Sequence, residues 1–360
     1  MRRHEPEVEE RQVVARGPAL RAEASPALLD ALRVQYAIEG AEGAKDIGGS
    51  SNLNLLLSDT VGRHRYVVRV YRPWVTTARL ADMQLVRRRL ALGGVPCAQP
   101  VRTLNGETWI VVNNRLVEVE PYVEHDAKMD SWQRIEAGLP LLGRIHTLLR
   151  PLHVSEDGLN PPAANYIEPQ DVLTGTLRGT QRIRQWEDAA PAELEVAHAS
   201  EELARLVAST QQAMGIEGLP RHLVHGDYWD NNVLFHDNQV VLVADLDFMG
   251  ERARIDDLAL TLYYTNSTFS DDPTSDERIR GLSTLVNAYN AGLDEPLTSA
   301  ERAALPLALA RTPLAFIAMI ASVDSQAGAR RLAAEMAHDI SWALAIVRDL
   351  DQWRSAFSCD

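Results

Sequence analysis

The sequence predicts an α+β fold in two lobes, a small β-rich N-terminal lobe and a larger, mostly helical C-terminal lobe. Three observations carry this prediction. The 360 residues exceed one ordinary core, since domains run to roughly 100–200 residues. Short apolar runs bounded by turn residues, the signature of strands, gather ahead of residue 123. Beyond residue 123 the apolar spacing turns helical, apart from one β-rich island at Asn232–Phe248. Apolar residues make up 46% of the chain, enough for a sizeable core, which argues against disorder.

The elements follow in order. Residues 1–24 are polar and aperiodic and read as a loose arm. Ser25-Pro26 supplies an N-cap and a proline at the first helical position, for a helix that runs to Tyr36. Asn52–Leu57, a turn at Ser58–Gly62 and Tyr66–Tyr71 make a hairpin. A helix from Thr76 to Leu92 is closed by Gly93-Gly94 and Pro96. Val101–Leu104 and Thr108–Val112 flank Asn105-Gly106, a tight-turn pair that predicts a second hairpin. Leu116–Val123 is a further strand and Trp132–Leu149 a helix. Residues 151–178 hold Pro, Gly and Asn and read as a long connection. Helical periodicity returns in 192–214, 274–291, 298–322 and 328–354.

The formal net charge is −14. Such a surface repels nucleic acid and anionic membranes and focuses cationic small molecules, although acidity also serves solubility alone. Lys45 and Lys128 are the only lysines. Cys97 and Cys359 are the only cysteines, which excludes a disulfide framework and a thiolate zinc site. The charged start, MRRHEPEVEERQ, has no apolar core and reads as no signal peptide. The most apolar stretch, Leu305–Val323, carries Pro306, Arg311 and Pro313 and reads as a buried helix rather than a membrane span. A cytoplasmic protein is the expectation.

The chemistry is concentrated in Leu223–Phe235, where Asp227 stands five residues before Asn232. That is the spacing of catalytic Asp and metal-binding Asn in a kinase catalytic loop, with Gly226 in place of the arginine. Phosphoryl transfer needs a carboxylate beside the attacking hydroxyl and Mg²⁺ to neutralise phosphate charge. A loop of that length presents the carboxylate to the substrate and the Asn carbonyl to the metal. His225 reads as a residue that packs the loop. Next, the apolar run Val240–Ala244 ends in Asp245 and Asp247. Residues i and i+2 of a strand share a face, and two carboxylates there repel unless a hard cation such as Mg²⁺ lies between them. A solvated turn is the alternative for this pair alone; beside the Asp227–Asn232 loop the metal reading prevails.

Two weaker signals lie in the N-terminal lobe. Gly48, Gly49, Ser50 and Ser51 precede a strand, and such residues let backbone N–H groups approach phosphates. Taken alone they make only a flexible turn. Arg69 sits among Val67, Val68 and Val70. It either points to a phosphate, where a kinase carries a lysine, or snorkels to the surface.

Together, His225-Gly226-Asp227 with Asn232, Asp245-Leu246-Asp247-Phe248, Asp256-Asp257-Leu258-Ala259 and Leu142-Gly143-Arg144-Ile145-His146 resemble the aminoglycoside phosphotransferase and choline/homoserine kinase group. The resemblance covers residues 45–350 and implies a bilobal protein-kinase-like fold. It implies a nucleotide-binding N-lobe at 25–123 and a helical C-lobe at 124–360 with catalytic loop, metal loop and acceptor site. Asp227 would then be the catalytic carboxylate, with Asn232 and Asp245 holding Mg²⁺ and Asp247 assisting a second metal. Arg69 would contact the phosphates of ATP, or GTP in its place, and the backbone at Glu120–Tyr122 would form the adenine hinge. Asp257 would hold the metal loop. The group carries an acid on the N-lobe helix to pair with the phosphate-binding residue, and Asp82 is the nearby acid here.

Candidates for the acceptor site are Tyr228, Trp229, Asp230, Tyr264, Asp271, Asp272, Asp276, Glu277 and Tyr289. Acids and aromatics suit an amine-bearing acceptor, while Asp271–Glu277 also fits a solvated helix start. The leading expectation is an ATP- and Mg²⁺-dependent kinase for a hydroxyl of a small molecule, leaning to a cationic antibiotic. The alternatives are a metabolic kinase for an amino alcohol, homoserine or sugar, and a kinase-shaped protein that binds a nucleotide or ligand without turnover.

Overall fold

The computed structural model describes residues 21–39, 43–49, 52–58, 63–161, 165–269 and 274–358. Most of the N-terminal arm and the turn at Asp59–Gly62 lie outside them. The chain divides into two compact units, residues 1–75 with 100–122, and residues 76–99 with 123–360.

The first unit opens with helix α1 (Pro26–Tyr36). Ser25 caps it, its hydroxyl accepting from the Leu28 N–H at 3.2 Å, and Leu28, Leu32 and Tyr36 recur every four residues on its buried face. Strands β1 (Lys45–Asp46), β2 (Leu53–Ser58), β3 (His64–Val70), β4 (Ile110–Val112) and β5 (Arg115–Pro121) form an antiparallel sheet in the order β1-β2-β3-β5-β4. Leu53, Leu55, Leu57, Val68, Val70, Val117 and Val119 point to one face and bury against α1. The register pairs Asn54 with Arg69 and Arg69 with Glu118, so alternation puts this polar row on the opposite face.

The hairpin expected at 101–112 is not there. Asn105-Gly106 does turn, with Gly106 at φ 87°, but no strand precedes it. The hairpin is β4–β5, turned by Asn113 and Asn114 at φ 49° and 59°. Two successive left-handed residues match the twist of the flanking strands.

In the second unit, helix α2 (Thr77–Leu92) precedes β6 (Ala127–Met129), α3 (Trp132–Leu149) and α4 (Glu156–Leu159). Then come α5 (Val172–Arg184), α6 (Pro191–Met214), β7 (Arg221–Val224), β8 (Asp230–His236), β9 (Gln239–Val243) and β10 (Gly250–Ala253). The chain ends in α7 (Arg254–Phe269), α8 (Asp276–Ala291), α9 (Ser299–Ile320), α10 (Gln326–Arg348) and α11 (Leu350–Ser358). The expected connection at 151–178 thus contains α4 and the start of α5.

A sequence boundary at 123 puts α2 with the strands, but its contacts lie in the second unit. Thr76 bonds Asp157, and the Asp82 carboxylate accepts from the N–H and hydroxyl of Ser155. The apolar α9 is long and apolar enough to span a membrane. Here it is mostly buried against α5, α7, α10 and α11, and Arg311 within it is ion-paired with Asp256. Two short sheets, β7–β10 and β6–β8–β9, set the loops that carry Asp227 and Asp245.

Candidate active site

The segment from His225 to Asn232 runs from the end of β7 into the start of β8. It turns back on itself because Gly226 stands at φ 85°, and a Cβ there would lie 2.0 Å from the Phe248 carbonyl oxygen. Only glycine fits, which explains why no arginine occupies this position. Asn232 closes the loop. Its Nδ2 donates to the Asp227 carbonyl and to Asp227 Oδ2, both at 2.9 Å. This turns the amide oxygen of Asn232 to the other side.

His225 ties this loop to the next. Its Nδ1 accepts from the Asp227 N–H at 3.2 Å and its Nε2 donates to the Ala244 carbonyl at 3.1 Å. That pattern requires a neutral imidazole, and burial pushes its pKa down to about 4. Asp257 anchors the same turn from the first turn of α7. Its carboxylate accepts from the His225 and Gly226 N–H groups at 3.1 and 2.9 Å and from His146 Nε2 at 3.0 Å. Burial alone would raise its pKa, but the His146 hydrogen bond and nearby positive charge hold it below the ordinary value.

The second loop follows β9. Asp245 adopts a left-handed backbone at φ 59°, a conformation that costs a non-glycine residue roughly 1 kcal/mol or more and gathers at functional sites. Its Oδ1 accepts from the Asp247 N–H at 3.3 Å. The Ala244 N–H donates to the Asn232 carbonyl at 2.8 Å, so the two loops are joined beside the candidate residues.

Burial, and then the Asp245 carboxylate, push Asp227 up to about 7. Like charges crowd here, and the donors in these two loops are carboxylate and amide oxygens. That set fits a hard divalent cation such as Mg²⁺.

The structure thus brings together Asp227, Asn232, Asp245 and Asp247. Trp229 and Tyr264, both half-buried, form an aromatic pair with ring centroids 5.1 Å apart. Asp230, also half-buried, opens β8. Tyr228 is a correction: it is 1% exposed, and its hydroxyl donates to the Gly138 carbonyl at 2.8 Å, so it is a core residue. Tyr289 is likewise buried and bonded to His146. Asp276 and Glu277 are exposed in the first turn of α8, where acids complement the helix dipole. Ser50, Ser51, Asp271 and Asp272 lie outside the described residues.

In the first unit, Gly48 and Gly49 take φ 94° and 110°. Arg21 Nε donates to the Gly49 carbonyl at 2.8 Å and Asn54 Nδ2 to the Gly48 carbonyl at 3.1 Å. Arg69 is 9% exposed, so it does not snorkel. It lies between Asn54 and Glu118 in the polar row. Glu120 pairs with Val67 across β3–β5, and the Tyr122 N–H is committed to the Arg65 carbonyl at 2.9 Å.

Three site residues escape a reading of the sequence. Asn165 Nδ2 donates to Asp227 Oδ1 at 3.0 Å. Arg252, on β10, reaches Asn165 Oδ1 at 3.4 Å. Arg79, on α2, donates to the Asp247 and Met249 carbonyls at 2.8 and 2.9 Å. Each comes from a distant segment with no local motif, and the only cue is an arginine or asparagine in otherwise unremarkable sequence.

The chain matches the phosphotransferase enzyme family (APH) over residues 44–296. It belongs to that family. Family membership and fold together make it a small-molecule phosphotransferase of the protein-kinase-like class. It is similar to a homoserine kinase of Afipia carboxidovorans, 26% identical over 275 residues, which are 75% of either chain. Among solved structures it resembles a microcompartment-associated aminopropanol kinase, with TM-score 0.66, 17% identity, and 89% and 97% of the two chains covered. It also resembles the amicoumacin kinase hAmiN, with TM-score 0.64, 15% identity, and 87% and 92% covered.

Proposed function

We propose that this phosphotransferase moves the terminal phosphoryl group of ATP to a hydroxyl of a small amine-bearing molecule, with homoserine and related amino alcohols as the first acceptor class. One observation carries the chemistry: Asp227 is held by Asn232 in a glycine-turned loop joined to a second loop that bears Asp245 and Asp247. In this reading Asp227 orients the acceptor hydroxyl and receives its proton. A carboxyl raised by burial is a better proton acceptor than an ordinary one.

Asn232, Asp245 and Asp247 would hold Mg²⁺. The bound ion would neutralise charge on the phosphates. In the first unit, the Gly48–Gly49 turn and Arg69 of β3 would contact the phosphates. His225 and Asp257 keep the catalytic loop in shape and take no proton. Trp229 and Tyr264 offer ring faces to an ammonium group. The use of ATP fits a cytoplasmic enzyme.

The likeness to a homoserine kinase in sequence supports the amino alcohol class. A cationic antibiotic is the second reading, supported by the net charge of −14. Phosphorus NMR of products formed from MgATP with homoserine, aminopropanol, choline, an aminoglycoside and an aminosugar separates the two, and repeating it with GTP tests the donor. A new phosphomonoester from homoserine or aminopropanol is the expected result. A phosphomonoester from the aminoglycoside alone would overturn the first acceptor class in favour of the second.

A further inference from the structure

Asp227 is held from two directions. Asn232, in its own loop, binds Oδ2, whereas Asn165, from the segment between α4 and α5, binds Oδ1 at 3.0 Å. Asn165 is 2% exposed. Its amide has one satisfactory orientation, with the NH₂ toward the carboxylate and the oxygen toward the Arg252 guanidinium. Reversal would set oxygen against carboxylate and NH₂ against guanidinium.

Arg252 is itself fixed. It is 2% exposed, its Nη2 donates to the Phe248 carbonyl at 3.1 Å, and its guanidinium lies 4.7 Å from the Tyr166 ring centroid. Tyr166 in turn bonds Asp256 at 3.1 Å and Glu168 at 3.2 Å. Arg221 holds Glu168 through both carboxylate oxygens, at 2.8 and 2.9 Å. The segment that carries Asn165 is thus pinned at the neighbouring side chains. A carboxylate bonded at one oxygen still rotates about its Cβ–Cγ bond, and a second bond at the other oxygen fixes its plane.

We propose that Asn165 is a positioning residue for phosphoryl transfer: backed by Arg252, it fixes the plane of the Asp227 carboxylate and so aims the lone pair that meets the acceptor hydroxyl. Asn165 acts in this way only if Asp227 has the role proposed above. The bond is a charge-assisted one to the reacting group, and small misplacement of such a group costs up to roughly 100-fold in rate. No atom of Asn165 or Arg252 takes part in the transfer.

The test uses the full chain and MgATP, reading ADP release with homoserine and, separately, with water as acceptor. Asn165→Ala should lower kcat by roughly 10–100-fold while the KM for ATP stays near that of the parent; the thermal midpoint should fall somewhat, since the buried Arg252 loses a partner. Asn165→Asp should be worse than Asn165→Ala, since it sets two carboxylates together. Adding Asn165→Ala to Asp227→Ala should change the residual rate little, because the first acts only through the second. Arg252→Lys, which keeps the charge, should fall between the parent and Asn165→Ala. An Asn165→Ala protein with parental kcat, where Asp227→Ala has lost turnover, would overturn the positioning role alone. An Asp227→Ala protein that keeps turnover would overturn the reading beneath it.

Discussion

At the scale of single residues, the site is governed by what each backbone position tolerates. Gly226 and Gly215 both have left-handed backbones, at φ 85° and 64°. A Cβ on Gly215 meets nothing within 4 Å, whereas one on Gly226 meets the Phe248 carbonyl at 2.0 Å. Gly215→Ala should therefore cost only about 1 kcal/mol and leave kcat unchanged. Gly226→Ala should cost more and lower kcat by roughly 100-fold, because the loop must move with Asp227 on it. Thermal unfolding and steady-state kinetics on the two variants check this. The core of the site is legible in sequence for a local reason. The spacings Asp227–Asn232 and Asp245–Asp247 are set within single loops, so the chain itself records them. Asn165 and Arg252 leave no such record, since the contact that joins them to Asp227 is made only by folding. Tyr228 misleads for the converse reason, because standing next to Asp227 in sequence does not put a side chain beside it in the site.

At the scale of elements, α2 holds the loop that carries Asp245 and Asp247. Arg79 is 2% exposed and spreads its guanidinium over the carbonyls of Asp157, Asp247 and Met249. Arg79→Ala strands these acceptors and should destabilise the fold by about 3 kcal/mol or more. It should also raise the Mg²⁺ concentration needed for half-maximal rate, and a magnesium titration reads this directly. Arg79→Lys should restore little, since one ammonium cannot reproduce the fork. Asp82, the acid expected to pair with the phosphate-binding residue, accepts from the N–H and hydroxyl of Ser155. The elements misread in sequence have specific causes. Helix α7 gives no amphipathic signal in the sequence because nearly every residue from Ile255 to Asn266 is buried, which erases the polar stripe that marks a helix. The Asn105-Gly106 pair is a true turn signal, but the strands that pair lie on either side of Asn113-Asn114.

At the scale of the whole molecule, the division into a sheet-bearing unit and a helical unit is legible because the hydrophobic period changes from two to helical spacing along the chain. The membership of α2 is not, because it depends on which surface its buried polar groups find. The buried histidines link the fold to pH. Burial, with the nearby His146, lowers His222 to about 4, and burial lowers His225 to about 4. Unfolded histidine titrates near 6.5, so between about 6.5 and 4 the unfolded chain binds protons that the folded chain does not. Their contribution to stability is complete above about 6.5 and is lost as pH falls toward 4, by the order of 2–3 kcal/mol for each histidine. Urea midpoints should fall steadily across that window, and His222→Gln should flatten the decline. The central chemical claim is that Asp227 carries the proton transfer while the nucleotide and metal are bound by other groups. It is tested most directly by single-turnover MgATP consumption with homoserine as acceptor, comparing the parent with Asp227→Asn and measuring MgATP affinity on both. The predicted result is a rate lower by roughly 10²–10⁴-fold at nearly unchanged affinity; a rate within a few-fold of the parent would contradict it.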